Sequence, residues 1–157
     1  ADKLRPGYDM ETLYPHSGVL SRQDDRYHSV AYDVGFMPTL DTAAPFDPRL
    51  AAALPFRPLN HWTRFDHSRR TATSWFVGPE SGVQEACFVP RNATAPEGEG
   101  YLIGVVNRFL EMRNDLVVLD AQRLDEGPIA TVRMPTRLPA QVHGWWVPGT
   151  VVPATRL

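Results

Sequence analysis

His143 and Glu85 are the two residues of this chain whose types best suit metal chemistry. His143 lies between Val142 and Gly144 and is followed by two tryptophans. Imidazole is a common metal ligand, but a metal site needs several ligands, and a single histidine is more often packed or hydrogen-bonded at a strand edge. Four other histidines show no ligand-type spacing to one another or to His143: His16, His28, His61 and His67. The residues alone therefore leave both interpretations of His143 open.

Glu85 opens a short apolar run, residues 86–89. A carboxylate at the start of a buried strand is costly to remove from water unless it is paired. The simplest interpretation is a surface glutamate where a strand begins. The alternative is a carboxylate that accepts the second ring N–H of a ligand histidine and so orients that histidine.

Cys87 is the single cysteine, and it is flanked by Ala86 and Phe88. It has no activating neighbour, so we expect a small buried hydrophobic residue rather than a nucleophile. One cysteine excludes an internal disulfide and is typical of a reducing, cytoplasmic setting. Trp145 and Trp146 would point to opposite faces of an extended segment, so we expect one of them to pack in the core.

The composition excludes several classes of protein. The 157 residues suffice for one domain, and a hydrophobic content of 43% is that of a folded chain. A net charge of −2 with no basic cluster predicts no nucleic-acid partner. No apolar run approaches the roughly 18 residues of a transmembrane span, and residues 1–10 are too polar for a signal peptide.

The second half of the chain has a regular rhythm of apolar runs and turns. The sequence contains 15 prolines and 11 glycines, which favours short elements over long helices. Four short runs separated by turns predict a four-stranded antiparallel meander. The runs are residues 86–89, 101–106, 116–119 and 129–132.

The first half predicts a second, smaller sheet. We expect a strand over residues 29–37 and a hairpin formed by 59–66 and 71–77. Residues 38–58 contain five prolines and form a connector with one helical turn near 50–54, and residues 21–27 form a charged, solvated loop. Two such sheets cannot bury their faces alone, so the chain is expected to be a piece of a larger protein.

Five stretches, in order, resemble the C-terminal part of the carotenoid cleavage oxygenase family. They are residues 84–91, 95–102, 115–121, 127–132 and 142–148. Residues 111–113 and 126–128 are most similar to the bacterial lignostilbene dioxygenase branch, and residues 22–27 resemble the family more loosely. The resemblance covers about the last third of the family's length, and it leaves residues 38–58 largely unmatched.

This resemblance implies an all-β fold, the C-terminal blades of a seven-bladed β-propeller. It implies a single propeller domain over residues 1–157, with about two blades plus the connector 38–58. In the family a non-haem Fe(II) is held by four histidines on the propeller axis. His143 lies at the position of the last iron ligand, and Glu85 at that of a glutamate that orients a ligand. The other four histidines match no family motif.

The implied reaction adds dioxygen across the carbon–carbon double bond of a small aromatic alkene, a stilbenoid, and yields two aldehydes. Alternatives are an apocarotenoid substrate and a catalytically silent β-propeller that only binds. A further family glutamate is replaced in this chain by Val19 or Leu20. With one ligand the chain alone is expected to be inactive, so the remainder of the propeller, or another chain, is an implied partner.

Overall fold

The computed structural model describes residues 11–149, and its strands form two antiparallel sheets. A short helix, α1 (Pro48–Ala53), and two 3₁₀ turns at Asp25–Tyr27 and Leu124–Glu126 lie between strands. The strands are β1 (Ser17–Gly18), β2 (Arg22–Gln23), β3 (Val34–Leu40), β4 (His61–Asp66), β5 (Thr71–Phe76), β6 (Ser81–Pro90), β7 (Gly100–Arg108), β8 (Arg113–Asp120) and β9 (Pro128–Arg133).

The C-terminal sheet is the predicted meander, with the strand order β6-β7-β8-β9. Its strands are longer than the apolar runs that predicted them, because polar residues continue the pairing at the strand ends. Asn107 lies opposite Asn114, for example, and Arg108 lies opposite Arg113. Along β7 the side chains alternate between buried and half-buried positions over most of the strand, as expected for a pleated sheet.

The N-terminal sheet contains the predicted hairpin, formed by β4 and β5, with β3 on its other side. The expectation that the preceding strand ends before Pro38 was wrong, since β3 runs from Val34 to Leu40 and pairs Pro38 with Trp62. The Pro38 carbonyl faces β1 and accepts from the Val19 N–H. Proline has no N–H to donate, but Pro38 lies opposite the gap between β1 and β2. The sheet therefore loses no hydrogen bond at this position.

The helical turn expected near residues 50–54 of the connector is present and begins two residues earlier. Helix α1 spans Pro48–Ala53. Asp47 caps its N-terminus by accepting the Arg49 N–H at 2.8 Å, and Pro48 occupies the first turn, where no N–H is required.

The core lies where the two sheets face each other. Trp62 of β4 is fully buried and its indole lies over β7 at Gly104, where an added Cβ would come within 2.5 Å of Trp62 Cζ2. Phe36 of β3 stacks on Phe88 of β6, with ring centroids 5.1 Å apart. Strands β3, β4 and β6 therefore fix the two sheets against each other and bring β2 close to β6.

The edge strand β9 is exposed along its whole length, including Ile129 and Val132.

Between residues 11 and 149 there is no helix with both the length and the apolar character needed to cross a membrane.

Candidate functional site

A β-bulge in β6 presents two consecutive side chains to the same neighbour. Val83 pairs with Val106 and Ala86 with Gly104, so two residues of β6, Gln84 and Glu85, face one residue of β7. The Trp62 indole N–H donates to the Gln84 carbonyl at 2.7 Å and holds the bulge from the other sheet. Bulges re-aim side chains, and in this strand both Gln84 and Glu85 reach the chain that follows β9.

Residues 138–144, which we call the docked segment, lie against the C-terminal sheet without forming a strand. Three of their backbone N–H groups donate to side-chain oxygens of the sheet. Leu138 donates to Asn114 at 2.7 Å, Gln141 to Gln84 Oε1 at 3.0 Å and Gly144 to Glu85 Oε2 at 2.6 Å. The docked segment is therefore held by side chains of the sheet rather than by the backbone hydrogen bonds of a strand pair.

The structure brings the two candidate metal-site residues together. His143 Nδ1 lies 3.4 Å from Glu85 Oε1, although 58 residues separate them in sequence. The Glu85 side chain is only 4% exposed and that of His143 is 73% exposed. Glu85 is thus not the surface glutamate of the simplest interpretation. A carboxylate at Nδ1 favours the tautomer that leaves Nε2 free to bind a metal.

Arg22 supplies a counter-charge that the sequence did not reveal. Its Nη1 lies 3.6 Å from Glu85 Oε1, and its Nη2 lies 3.7 Å from Asp25 Oδ1. Arg22 lies on β2, opposite Phe36, so it reaches Glu85 from the other sheet. A buried carboxylate is tolerated when a cation and hydrogen-bond donors surround it. The expectation of a solvated loop with only local ion pairs was wrong for this arginine, since nothing nearby in the sequence indicates a buried partner.

A cavity of about 930 Å³ opens between the sheets beside the Glu85–His143 pair. Arg22, Glu85 and His143 form part of its wall, together with other polar residues and four aromatic side chains. His28 and His67 also line it, whereas His16 and His61 do not. Its size is that of pockets that bury small organic ligands. The aromatic lining residues are Tyr32, Phe36, Phe65 and Trp145.

Cys87 lies beside Gly144 at the end of the docked segment, and the two tryptophans follow that segment directly. Cys87 is half-buried, and burial raises the pKa of its thiol, which agrees with a residue that is not a nucleophile. The expectation that one tryptophan packs in the core was wrong. Trp145 is 77% exposed and Trp146 47% exposed, because no described element covers the outer side of the segment.

The residues that the structure brings together can supply one ligand of a metal site. A single imidazole held by a buried carboxylate offers one ligand, and no group of three or more histidine, cysteine or acidic side chains able to hold a metal occurs among residues 11–149. The other ligands of any metal bound at His143 would have to come from outside this part of the chain.

The sequence of this chain is similar to those of several curated oxygenases. It is 44% identical over 115 residues to isoeugenol monooxygenase of Pseudomonas nitroreducens, covering 73% of this chain and 23% of the relative. It is 37% identical over 132 residues to lignostilbene-alpha,beta-dioxygenase isozyme III of Sphingomonas paucimobilis, covering 84% and 27%. The chain thus spans about a quarter of the length of these curated relatives.

Solved structures show the same fold. The crystal structure of lignostilbene dioxygenase from Pseudomonas brassicacearum matches with a TM-score of 0.83 and 35% identity, over 87% of this chain and 28% of that one. Apocarotenoid oxygenase of Synechocystis matches with a TM-score of 0.74 at 22% identity, over 86% and 26%. These matches confirm the all-β prediction and the expected blades of a seven-bladed propeller, although the chain covers about a quarter of the fold rather than a third.

The fold and the order of the sequence motifs point to the same family. Residues 3–148 match the family described as retinal pigment epithelial membrane protein. This match spans nearly the whole chain, including the bulge, the docked segment and the Glu85–His143 pair. The chain therefore belongs to this family, that of the carotenoid oxygenases.

Proposed function

We propose that this chain is the C-terminal part of a non-haem Fe(II) dioxygenase that cleaves the central double bond of a stilbenoid into two aldehydes. The observation that carries the proposal is the buried carboxylate beside an exposed histidine, at the wall of an aromatic-lined cavity. The lignostilbene dioxygenase and isoeugenol monooxygenase relatives support an alkene with an aromatic ring as the substrate class.

His143 is proposed to bind the iron through Nε2, while Glu85 accepts the Nδ1–H group and fixes the plane of the ring. Bound Fe(II) would supply the binding and activation of dioxygen. The remaining ligands would come from the rest of the propeller, either in the same polypeptide or in another chain. We propose that the two sheets are about two blades of that one domain, and that residues 38–58 form a connector within the N-terminal blade.

The cavity is proposed to bury the aromatic rings of the substrate. Tyr32, Met37 and Trp145 offer apolar surface, and Arg22 is the cation in the wall nearest to Glu85. Apolar walls that hold the double bond beside His143 would also exclude water from the reacting carbons.

An apocarotenoid substrate is the second candidate. It is favoured by 32% identity over 89 residues to apocarotenoid-15,15'-oxygenase of Synechocystis. Turnover assays with a hydroxylated stilbene and with an apocarotenal, run on the same preparation, would separate the two candidates.

His143→Ala tests the iron ligand in the complete protein that carries this chain. We expect the variant to lose its iron and its turnover, because one imidazole is removed from the metal. Iron content by mass spectrometry and cleavage of a hydroxylated stilbene are the measurements. The matched control is His16→Ala, which removes a histidine that does not line the cavity. Wild-type iron content in His143→Ala would overturn the ligand assignment.

A further inference from the structure

Three amide side chains form a continuous row across the C-terminal sheet. Gln84 lies on β6, Asn107 on β7 and Asn114 on β8. Gln84 Nε2 donates to Asn107 Oδ1 at 3.0 Å, and Asn114 Nδ2 donates to the same oxygen at 2.6 Å. Gln84 and Asn114 are buried, with 7% and 1% of their surface exposed. Buried amides are kept only where their polar atoms find partners, and an apolar row would avoid this requirement.

The row has a direction that follows from its hydrogen bonds. Asn107 offers one oxygen to both neighbours, so each neighbour must turn its NH₂ group toward Asn107. The carbonyl oxygens of Gln84 and Asn114 are thereby turned toward the docked segment. These are the two oxygens that accept the N–H groups of Gln141 and Leu138.

The accepted N–H groups repeat along the docked segment every three residues. They belong to Leu138, Gln141 and Gly144, and the third is accepted by Glu85. A three-residue repeat is the period of an extended chain of the polyproline II type, in which no internal bonds satisfy the backbone. The sheet therefore binds the backbone of the segment at a regular interval and sets its position along the surface.

His143 depends on this docking because its own side chain packs against little. The His143 side chain is 73% exposed, so the position of its ring is set by the contact with Glu85 and by the backbone on either side. We propose that Gln84, Asn107 and Asn114 form a positioning relay for His143. This inference rests on the proposed function, in which His143 binds iron.

Asn107→Leu is the sharpest test, because Asn107 is the shared acceptor yet makes no hydrogen bond to the docked segment. Leucine removes the acceptor, so the amides of Gln84 and Asn114 lose the bonds that orient them. In the complete protein we expect iron release to a chelator to be about 10-fold faster, the scale of ligand-orienting contacts. Hydrogen–deuterium exchange by mass spectrometry should show reduced protection in residues 138–144 while β7 and β8 stay protected.

Asn107→Asp is the conservative rescue, since a carboxylate oxygen still accepts from both neighbours, and both measurements should return toward wild type. Asn92→Leu is the matched control at an exposed turn and should change neither. Unchanged protection of residues 138–144 in Asn107→Leu would overturn the inference. The inference would also be overturned if Asn107→Leu lost protection of residues 138–144 but released iron at the wild-type rate, provided that His143→Ala loses its iron. Retention of iron by His143→Ala would instead overturn the proposed function, and with it the need to position His143.

Discussion

The Glu85 carboxylate contacts three residues. Oε2 accepts the Gly144 N–H at 2.6 Å, and Oε1 faces both His143 and Arg22. The imidazole and the guanidinium both approach the same oxygen, and 73% of the His143 side chain stays exposed. The attraction of Arg22 therefore offsets part of the cost of burying the carboxylate that holds the docked segment.

Arg22→Met tests this balance of charge. The methionine keeps much of the apolar stem but leaves Glu85 without a cation, and we expect the free energy of unfolding to fall by about 1–3 kcal/mol. Arg22→Lys should restore part of the loss. Urea unfolding measures it, and Arg49→Met, which breaks an exposed pair with Asp47, is the control expected to stay within about 0.5 kcal/mol. Equal effects of Arg22→Met and Arg49→Met would contradict the role of Arg22.

Individual site residues were predictable to very different degrees. The types of Glu85 and His143 suggested metal chemistry, but only resemblance to the family linked two residues that are 58 apart. Arg22 and the amide row were missed because an arginine in a charged stretch and amides in strands have ordinary solvent-exposed explanations. The one usable signal was the polar pair Gln84-Glu85 in front of an apolar run, where a bulge turns both side chains to one neighbour.

The elements that place the site are the β4–β5 hairpin and the bulged strand β6. Trp62 crosses from one sheet to the other, covers Gly104 and donates to the carbonyl of Gln84. The bulge is thus fixed from outside its own sheet, and the orientation of Glu85 depends on the fit between Trp62 and β7.

Gly104→Ala probes that fit. The added Cβ would lie 2.5 Å from Trp62 Cζ2 and 3.0 Å from the Ala86 Cβ, so the indole must move. We expect a loss of about 1–3 kcal/mol in unfolding free energy, the usual cost of overpacking, together with weaker iron retention. Thermal or urea denaturation gives the first quantity. Gly35→Ala is the control within a strand, because its nearest neighbour would be 3.8 Å away. A Gly104→Ala protein as stable as the control would show that the indole has room.

Most elements were predictable because apolar runs and turn residues mark them independently of tertiary contacts. The four strands of the meander and the hairpin followed from this pattern, and the structure confirms them. The extent of β3 did not, since Pro38 is tolerated only because β1 and β2 leave a gap beside it. The docked segment was also missed, because its N–H groups bond to side chains that the local sequence does not contain.

Residues 11–149 leave several surfaces uncovered, and the proposed complete propeller would use them. Strand β9 is exposed throughout, the cavity opens outward, and the candidate ligand lies at one side of its wall. The chain spans about a quarter of its curated relatives, which accounts for these open surfaces if the rest of the propeller packs around the cavity.

Iron binding should therefore require more than these 157 residues. We expect the chain purified alone to retain no stoichiometric iron after gel filtration, whereas the complete protein retains it until a chelator removes it. The reason is that residues 11–149 offer no cluster of three or more ligand-type side chains. Metal analysis of both preparations, loaded with Fe(II) under argon, checks this expectation. Tight iron binding by the chain alone would place a full ligand set within it.

Residues 134–137 tie the docked segment to the end of β9, so docking is an intramolecular event. A tether of this length gives the segment a local concentration on the order of millimolar at its own binding surface. Three N–H bonds that could scarcely hold a free peptide can then keep His143 in place. A single proteolytic cut within the tether would remove this local concentration on the N-terminal side of His143 while leaving both sheets intact.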